Sequence, residues 1–151
     1  MLPNGDHVLA GLVDEVLRCH GRLLTATADL GTEDGLTGAQ LLVLTAVVRA
    51  ERPPTVPQIG RSLGHSRQAV QRLVDALVER GLIETMDNPD HKRARLLVAT
   101  ADGEHAYARS NERSRDWTAR ITEGMDPAEL TTATDVLRRL RHRLEADRSP
   151  H

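Results

Sequence analysis

The sequence predicts a mainly α-helical fold carrying one small β-hairpin. Three observations predict it. Apolar residues recur at i, i+3, i+4 and i+7 in several separate stretches, the mark of amphipathic helices. Helix-starting residues stand ahead of five of these stretches: Thr37, Thr55, Ser66, Thr100 and Asp126. Between Leu82 and Ala99 the helical period gives way to two short β-compatible runs around a turn-forming segment. At 151 residues the chain can bury a real core as one domain, or as one domain with helical extensions.

The elements follow in order. Val8 to Leu30 reads as a long first helix, with Leu9, Leu12, Val13, Val16, Leu17, Leu23 and Leu24 on one stripe. A helix this long in a small chain often packs against a second subunit. Gly31–Gly35 reads as a turn, and Thr37-x-x-Gln40 is a capping box that opens a second helix, about Gly38 to Ala50. Its expected buried side is Leu41, Leu44, Val47 and Val48. Pro53 and Pro54 break the chain, since neither suits a helix interior. Thr55-x-x-Gln58 is a second capping box, with Pro57 in the first turn, and opens a short helix from Val56 to Leu63 with Ile59 and Leu63 inward.

Gly64-His65 is a tight connection into a helix capped by Ser66 and stopped by Gly81. Val70, Leu73, Val74 and Leu77 form its apolar stripe, while Arg67, Gln68, Gln71 and Arg72 cluster at its start. Taken alone, that cluster fits a solvated surface as well as a ligand face. Its context decides: a short helix, a Gly-containing turn and an amphipathic helix with a polar start make a helix-turn-helix. Leu82–Met86 and Arg95–Ala99 then flank DNPDHKRA, a hairpin with a charged tip, which in this position is a wing. Thr100 caps a fifth helix, about Ala101 to Ile121, whose apolar side (Ala106, Tyr107, Trp117, Ile121) is weak. Asp126-Pro127 starts the last helix, where Leu130, Ala133, Leu137, Leu140 and Leu144 recur near 3.5 residues, a coiled-coil-like seam. The tail from Asp147 is expected to fray.

Composition excludes several classes. Aromatic residues are 1% and Phe is absent, so Leu, Val and Ala must build the core. No run approaches the ~18–20 apolar residues of a membrane span. Cys19 is the only cysteine, which rules out an intrachain disulfide framework, and the N-terminus lacks a signal-peptide pattern. A cytoplasmic protein is expected. Net charge is −2, but Thr55 to Thr100 holds seven Lys and Arg against five Asp and Glu. A basic middle between acidic flanks is a modest nucleic-acid footprint.

At this point LTGAQLLVL, TVPQIGRSLGHSRQAVQRLVDALVERGLI, MDNPDHKRARLLVAT and the following Ala101-Asp102-Gly103 stand in an order that resembles the MarR family of bacterial winged-helix transcription regulators. The resemblance covers nearly the whole chain. It implies a winged helix-turn-helix with N- and C-terminal dimerisation helices. Residues 1–36 and 101–148 then form the dimerisation region, and residues 37–100 the DNA-binding domain. The implied partners are a second copy of the chain, a pseudo-palindromic double-stranded operator and a small, commonly anionic aromatic effector. One departure stands out: the family's wing often reads Asp-Arg-Arg-Ala, and here His91 precedes Lys92-Arg93-Ala94. Asp87 or Asp90 is then expected to supply the acid that orients Arg93.

The candidate residues divide by chemistry. Gln68, Gln71 and Arg72 are candidates for base edges, because Gln pairs with adenine and Arg with guanine in the major groove. Ser66 and Arg67 suit phosphates, as does Thr55 at the start of the third helix, although capping alone also explains Thr55. Lys92, Arg93 and Arg95 suit backbone and minor groove. Leu9, Leu12 and Val16, with Leu130, Leu137, Leu140 and Leu144, are the dimerisation candidates. Arg49 and His20 are effector-pocket candidates by helix position alone. Cys19 reads more simply as a small packing residue than as the redox sensor that one branch of the family carries. No histidine pair has metal spacing, no catalytic signature stands out, and no cofactor is implied. A regulator, most simply a repressor, is expected; the competing reading is a winged helix used for protein interaction without sequence-specific DNA.

Overall fold

The computed structural model describes residues 5–28 and 34–147. They form six helices and one hairpin: α1 Gly5–Thr27, α2 Gly38–Val48, α3 Val56–Leu63, α4 Arg67–Glu79, β1 Ile83–Met86, β2 Leu96–Ala99, α5 Ala101–Ile121 and α6 Pro127–Ala146. This is the mainly α architecture with one wing that the periodicities predict. The chain forms two compact units, the first ending at Gly38 and the second starting at Ala39.

The first unit contains α1. It begins three residues ahead of Val8, because its opening Gly5-Asp6-His7 carries no apolar residue for periodicity to register. Asp29, Leu30 and the expected turn through Glu33 lie outside the described residues, as does the tail from Arg148. Leu9 and Val16 are exposed and Leu12 is half-buried. Cys19 is exposed too, so the packing role expected for it does not hold within this chain.

The second unit holds the core. Val43, Leu44 and Val47 of α2, Val56 and Ile59 of α3, and Val70, Val74 and Leu77 of α4 are buried, together with Leu82, Ile83, Leu97 and Ala106. In α2 the expectation needs correcting: Val43 is buried and Leu41 only half-buried. LLVLTAVV is apolar on every side, so its period cannot say which face turns inward. α2 also stops at Val48, two residues short of Ala50, ahead of the Pro53-Pro54 break.

The helix-turn-helix is closed by local backbone chemistry. Thr55 and Gln58 form the reciprocal capping box, Gln58 N–H donating to Thr55 Oγ1 at 3.4 Å and Thr55 N–H to Gln58 Oε1 at 2.9 Å. α3 ends where Gly64, at φ +68°, lets His65 N–H reach back to Gly60 O at 2.9 Å. α4 ends in the same six-residue closure: Gly81, at φ +70°, lets Leu82 N–H reach Leu77 O at 2.9 Å. That bond keeps Leu82 out of the ladder, so β1 starts at Ile83 and not at Leu82 as the sequence suggests. β1 and β2 are antiparallel, with Ile83 opposite Ala99 and Met86 opposite Leu96. Arg95, which the sequence suggests as the first residue of the second strand, lies one residue outside it, beyond the last pair. Leu97 N–H donates to Pro54 O at 2.8 Å, which ties the wing to the break ahead of α3.

One threonine joins α4, the wing and α5. Thr100 N–H donates to Leu82 O at 3.1 Å, and Thr100 Oγ1 donates to Gly81 O at 2.6 Å and accepts from Gly103 N–H at 3.1 Å. Gly103 follows closely behind: a Cβ there would sit 2.0 Å from Leu82 O. α5 can cross this junction only without a side chain at that position. Farther on, Ala106 is buried, Tyr107 and Trp117 are half-buried, and Ile121 is exposed.

Asp126 Oδ1 accepts from Ala128 N–H at 2.9 Å and starts α6 as the Asp-Pro signal predicts. α6 has no fully buried residue. Leu130 and Leu140 are half-buried, while Leu137 and Leu144 are 41% and 66% exposed.

Two glycines should respond oppositely to alanine. Gly103→Ala forces Leu82 backbone to move and should cost at least about 1–3 kcal/mol. Gly21→Ala, in α1 with nothing within 4 Å of the added methyl, should leave stability unchanged or raise it by up to ~1 kcal/mol. Denaturant unfolding of both variants checks this; a neutral Gly103→Ala contradicts the close crossing.

Candidate nucleic-acid interface

α4 presents its polar start to solvent because its apolar stripe is committed to the core. Val70, Val74 and Leu77 are buried and Leu73 half-buried, so Arg67, Gln68, Gln71 and Arg72 are all exposed. Ser66 caps the helix, its Oγ accepting from Ala69 N–H at 3.1 Å. Thr55 is buried, at 7% exposure, and its hydroxyl accepts from Gln58 N–H. Both hydroxyls therefore serve the helix starts.

The wing stands beside α4, and a groove of about 1390 Å³ lies between them. Arg67 and Gln71 line it from α4, Arg61 from α3, and His91, Arg93 and Arg95 from the wing. Arg49 and Arg52 line it from the end of α2 and the break that follows. Six arginines thus face one groove, and Asp90 is the one acid among its lining residues. A strong local positive field is the expected result, despite a net charge of −2 for the chain. Gln68, Arg72 and Lys92 are exposed but do not line the groove.

Sequence reasoning missed Arg52 and placed Arg49 elsewhere. Both flank the double proline, outside the helix-turn-helix, where no spacing rule marks them. The signal that was available is their closeness to Pro53-Pro54, the segment that Leu97 ties to the wing.

Hydrogen bonds set the aim of individual side chains. Gln71 Nε2 donates to Asp75 Oδ1 at 2.8 Å, one turn on, which holds the amide along the helix. Reading adenine with both amide atoms requires Gln71 to leave Asp75. In the wing, Arg95 is engaged by the opposite strand: Nε donates to Thr85 Oγ1 at 3.0 Å, Nη2 to Thr85 O at 3.2 Å, and Nη1 lies 3.3 Å from Asp87 Oδ1. Asp87, one of the two acids expected to orient Arg93, is therefore partnered with Arg95 instead. A two-strand register explains it, because Met86 opposite Leu96 brings their outer neighbours Asp87 and Arg95 together. Asn88 shapes the tip, accepting Asp90 N–H at its Oδ1 (3.0 Å) and donating its Nδ2 to Ala94 O (2.8 Å). Lys92 and Arg93, at that tip, are exposed.

On α1, Cys19 Sγ lies 3.9 Å from Glu15 Oε1, an acid of the wrong sign to hold a thiolate. Among the described residues no group of three or more His, Cys, Asp or Glu is placed to hold a metal ion, and no helix is long and apolar enough to cross a membrane.

A polar-faced second helix beside a wing, both opening on one arginine-lined groove, defines a winged helix-turn-helix of the DNA-binding, transcription-regulating class. Comparison with known proteins agrees. The MarR family model matches residues 34–94. An uncharacterised protein of Mycobacterium tuberculosis is 37% identical over 140 residues, spanning 93% of this chain and 96% of that one. A MarR-family transcriptional regulator from Rhodococcus sp. RHA1 superposes with a TM-score of 0.72 at 22% identity, covering 93% of this chain and 96% of its own. CouR from Rhodococcus jostii RHA1, bound to p-coumaroyl-CoA, gives a TM-score of 0.71 at 23% identity, covering 83% and 88%. The chain belongs to the MarR family of transcription regulators.

The Arg95 clamp should matter locally more than globally. Arg95→Ala removes exposed contacts and should lower folding stability by less than ~1 kcal/mol. The amides from Asp87 to Ala94 should nonetheless gain fast mobility in a heteronuclear NOE measurement. An unchanged tip would show that Asn88 alone holds the wing.

Proposed function

We propose that the protein is a homodimeric repressor that binds a pseudo-palindromic operator and leaves it when a small-molecule effector binds. One observation carries this reading: the start of α4 and the wing share a groove lined by six arginines. Gln68, Gln71 and Arg72 read base edges. Arg67, Arg93 and Lys92 hold phosphate or enter the minor groove, and Arg49, Arg52 and Arg61 add backbone contacts from the groove's other wall. Arg95 shapes the wing first, and Ser66 and Thr55 set the helix starts. A dimer lying across a promoter blocks polymerase, and the cytoplasm, where the DNA lies, is where this happens.

Dimerisation is supported by the uncovered seams. Leu9 and Val16 on α1, and Leu137 and Leu144 on α6, are large side chains left exposed in the single chain. A second copy covers them most simply, with residues 1–36 and 101–148 as the dimerisation region and residues 37–100 as the reading lobe. The effector is argued by kinship: CouR, of similar fold, binds p-coumaroyl-CoA. A ligand that favours one spacing of the two lobes shifts DNA affinity by linkage.

The dimer is tested by sedimentation at low micromolar concentration. Wild type should run as a dimer, and Leu137→Glu, which places an unpaired charge in the seam at a cost of several kcal/mol, should run as a monomer. A well-folded wild-type monomer ends the claim.

DNA reading is tested by selecting duplexes from a random library, which should yield half-sites about one helical turn, ~10 bp, apart. On the selected duplex, Gln71→Ala should cost ~1–3 kcal/mol and relax preference at one position per half-site. Lys92→Ala should weaken selected and scrambled duplexes alike and reduce the salt slope by about two, one for each wing. The opposite pattern, Lys92→Ala changing sequence preference and Gln71→Ala only the salt slope, would invert the assignment. Selection of no palindrome refutes the reading.

A further inference from the structure

The α6 helix touches the reading lobe through a charged side chain that DNA reading does not use. Arg141 Nη1 donates to Ser62 Oγ of α3 at 3.0 Å, across 79 positions of sequence. The same Nη1 is also held by Glu145 Oε1, one turn on along α6. The Glu145 side chain is only 25% exposed and that of Arg141 41%. Arg141 Nη2 lies 3.3 Å from His142 Nε2. The guanidinium is thus neutralised on its own helix and aimed at one hydroxyl on another.

Ser62 is close to the reading surface. It sits in the last turn of α3, with only Leu63, the Gly64 turn and His65 between it and the Ser66 cap of α4. That turn has little slack, because His65 N–H is bonded to Gly60 O, and a Cβ at Gly60 would meet His65 O at 2.9 Å. A displacement at Ser62 is therefore passed to α4 almost rigidly. Here a small rotation has a large consequence. Turning a lobe by about 10° on an arm of roughly 20 Å, the scale of a small domain, moves the reading helix by ~3.4 Å, one base-pair step.

From this geometry we infer that Arg141 is a positioning residue: it fixes the angle of the reading lobe on α6, and so sets the half-site spacing that the dimer accepts. The inference rests on the dimer reading proposed above.

The test uses full-length protein and the palindrome that wild type selects from a random duplex library. Two further duplexes carry the same half-sites one base pair closer and one base pair farther apart. Wild type should prefer the parent spacing by tenfold or more. Arg141→Ala and Ser62→Ala should each reduce that preference to threefold or less, with the salt slope and the sedimenting dimer unchanged. Arg141→Lys, which keeps a donor and the charge, should restore part of the preference. Ser62→Ala removes one half-buried hydroxyl near the end of a helix and keeps the test valid if Arg141→Ala folds poorly. A proportional loss on all three duplexes means a merely structural role and overturns the inference, as does an unchanged preference. If wild type selects no palindrome, the dimer reading itself fails, and this inference with it.

Discussion

Among the described glycines the most tightly hemmed is Gly103, where α5 passes the end of α4. Gly103 has no room for even a methyl group against Leu82 O, and Thr100 stitches the same junction with three hydrogen bonds. The end of α4, the first wing strand and the helix leading to α6 all meet here. Remove this crossing, and α4 and the wing lose their common reference. The groove between them is a product of that junction, not of the groove residues themselves. An interior without phenylalanine depends on such backbone closeness, because Leu, Val and Ala fill little space from a distance.

Electrostatics work at the level of the groove and not of the chain. A net charge of −2 describes a molecule whose acids lie mostly away from one concave face. With Asp90 the one acid among the groove's lining residues, attraction is concentrated on that one surface. Confinement of this kind limits unspecific adhesion elsewhere on the molecule. It also gives Asp87 a distinct part: pairing with Arg95 offsets one positive charge at the base of the wing.

Much of the fold was legible in the sequence, and the reasons are local. Thr55, Ser66, Thr100 and Asp126 announce their helices because a cap is a contact between neighbours in sequence. Gly64 and Gly81 announce the two turns because both need a left-handed backbone. Long-range choices were not legible. The inward face of LLVLTAVV depends on what packs against it, so Val43 could not be told from Leu41. The partner of Asp87 depends on strand register, and a two-residue difference passes it from Arg93 to Arg95. Of the site, the α4 cluster was visible from its motif. The Arg49 and Arg52 wall was not, since it exists only once Leu97 has drawn Pro54 to the wing. The Arg141–Ser62 link spans two helices with no pattern in common.

Lys92 carries a consequence of another kind. It is the only lysine in the chain, and it stands exposed at the wing tip. An amine-selective reagent therefore finds one side-chain target, at the tip of the wing. A dye, spin label or crosslinker placed there needs no engineered attachment point. The molecule comes with its own reporter handle, situated where a partner that covers the wing changes its reactivity.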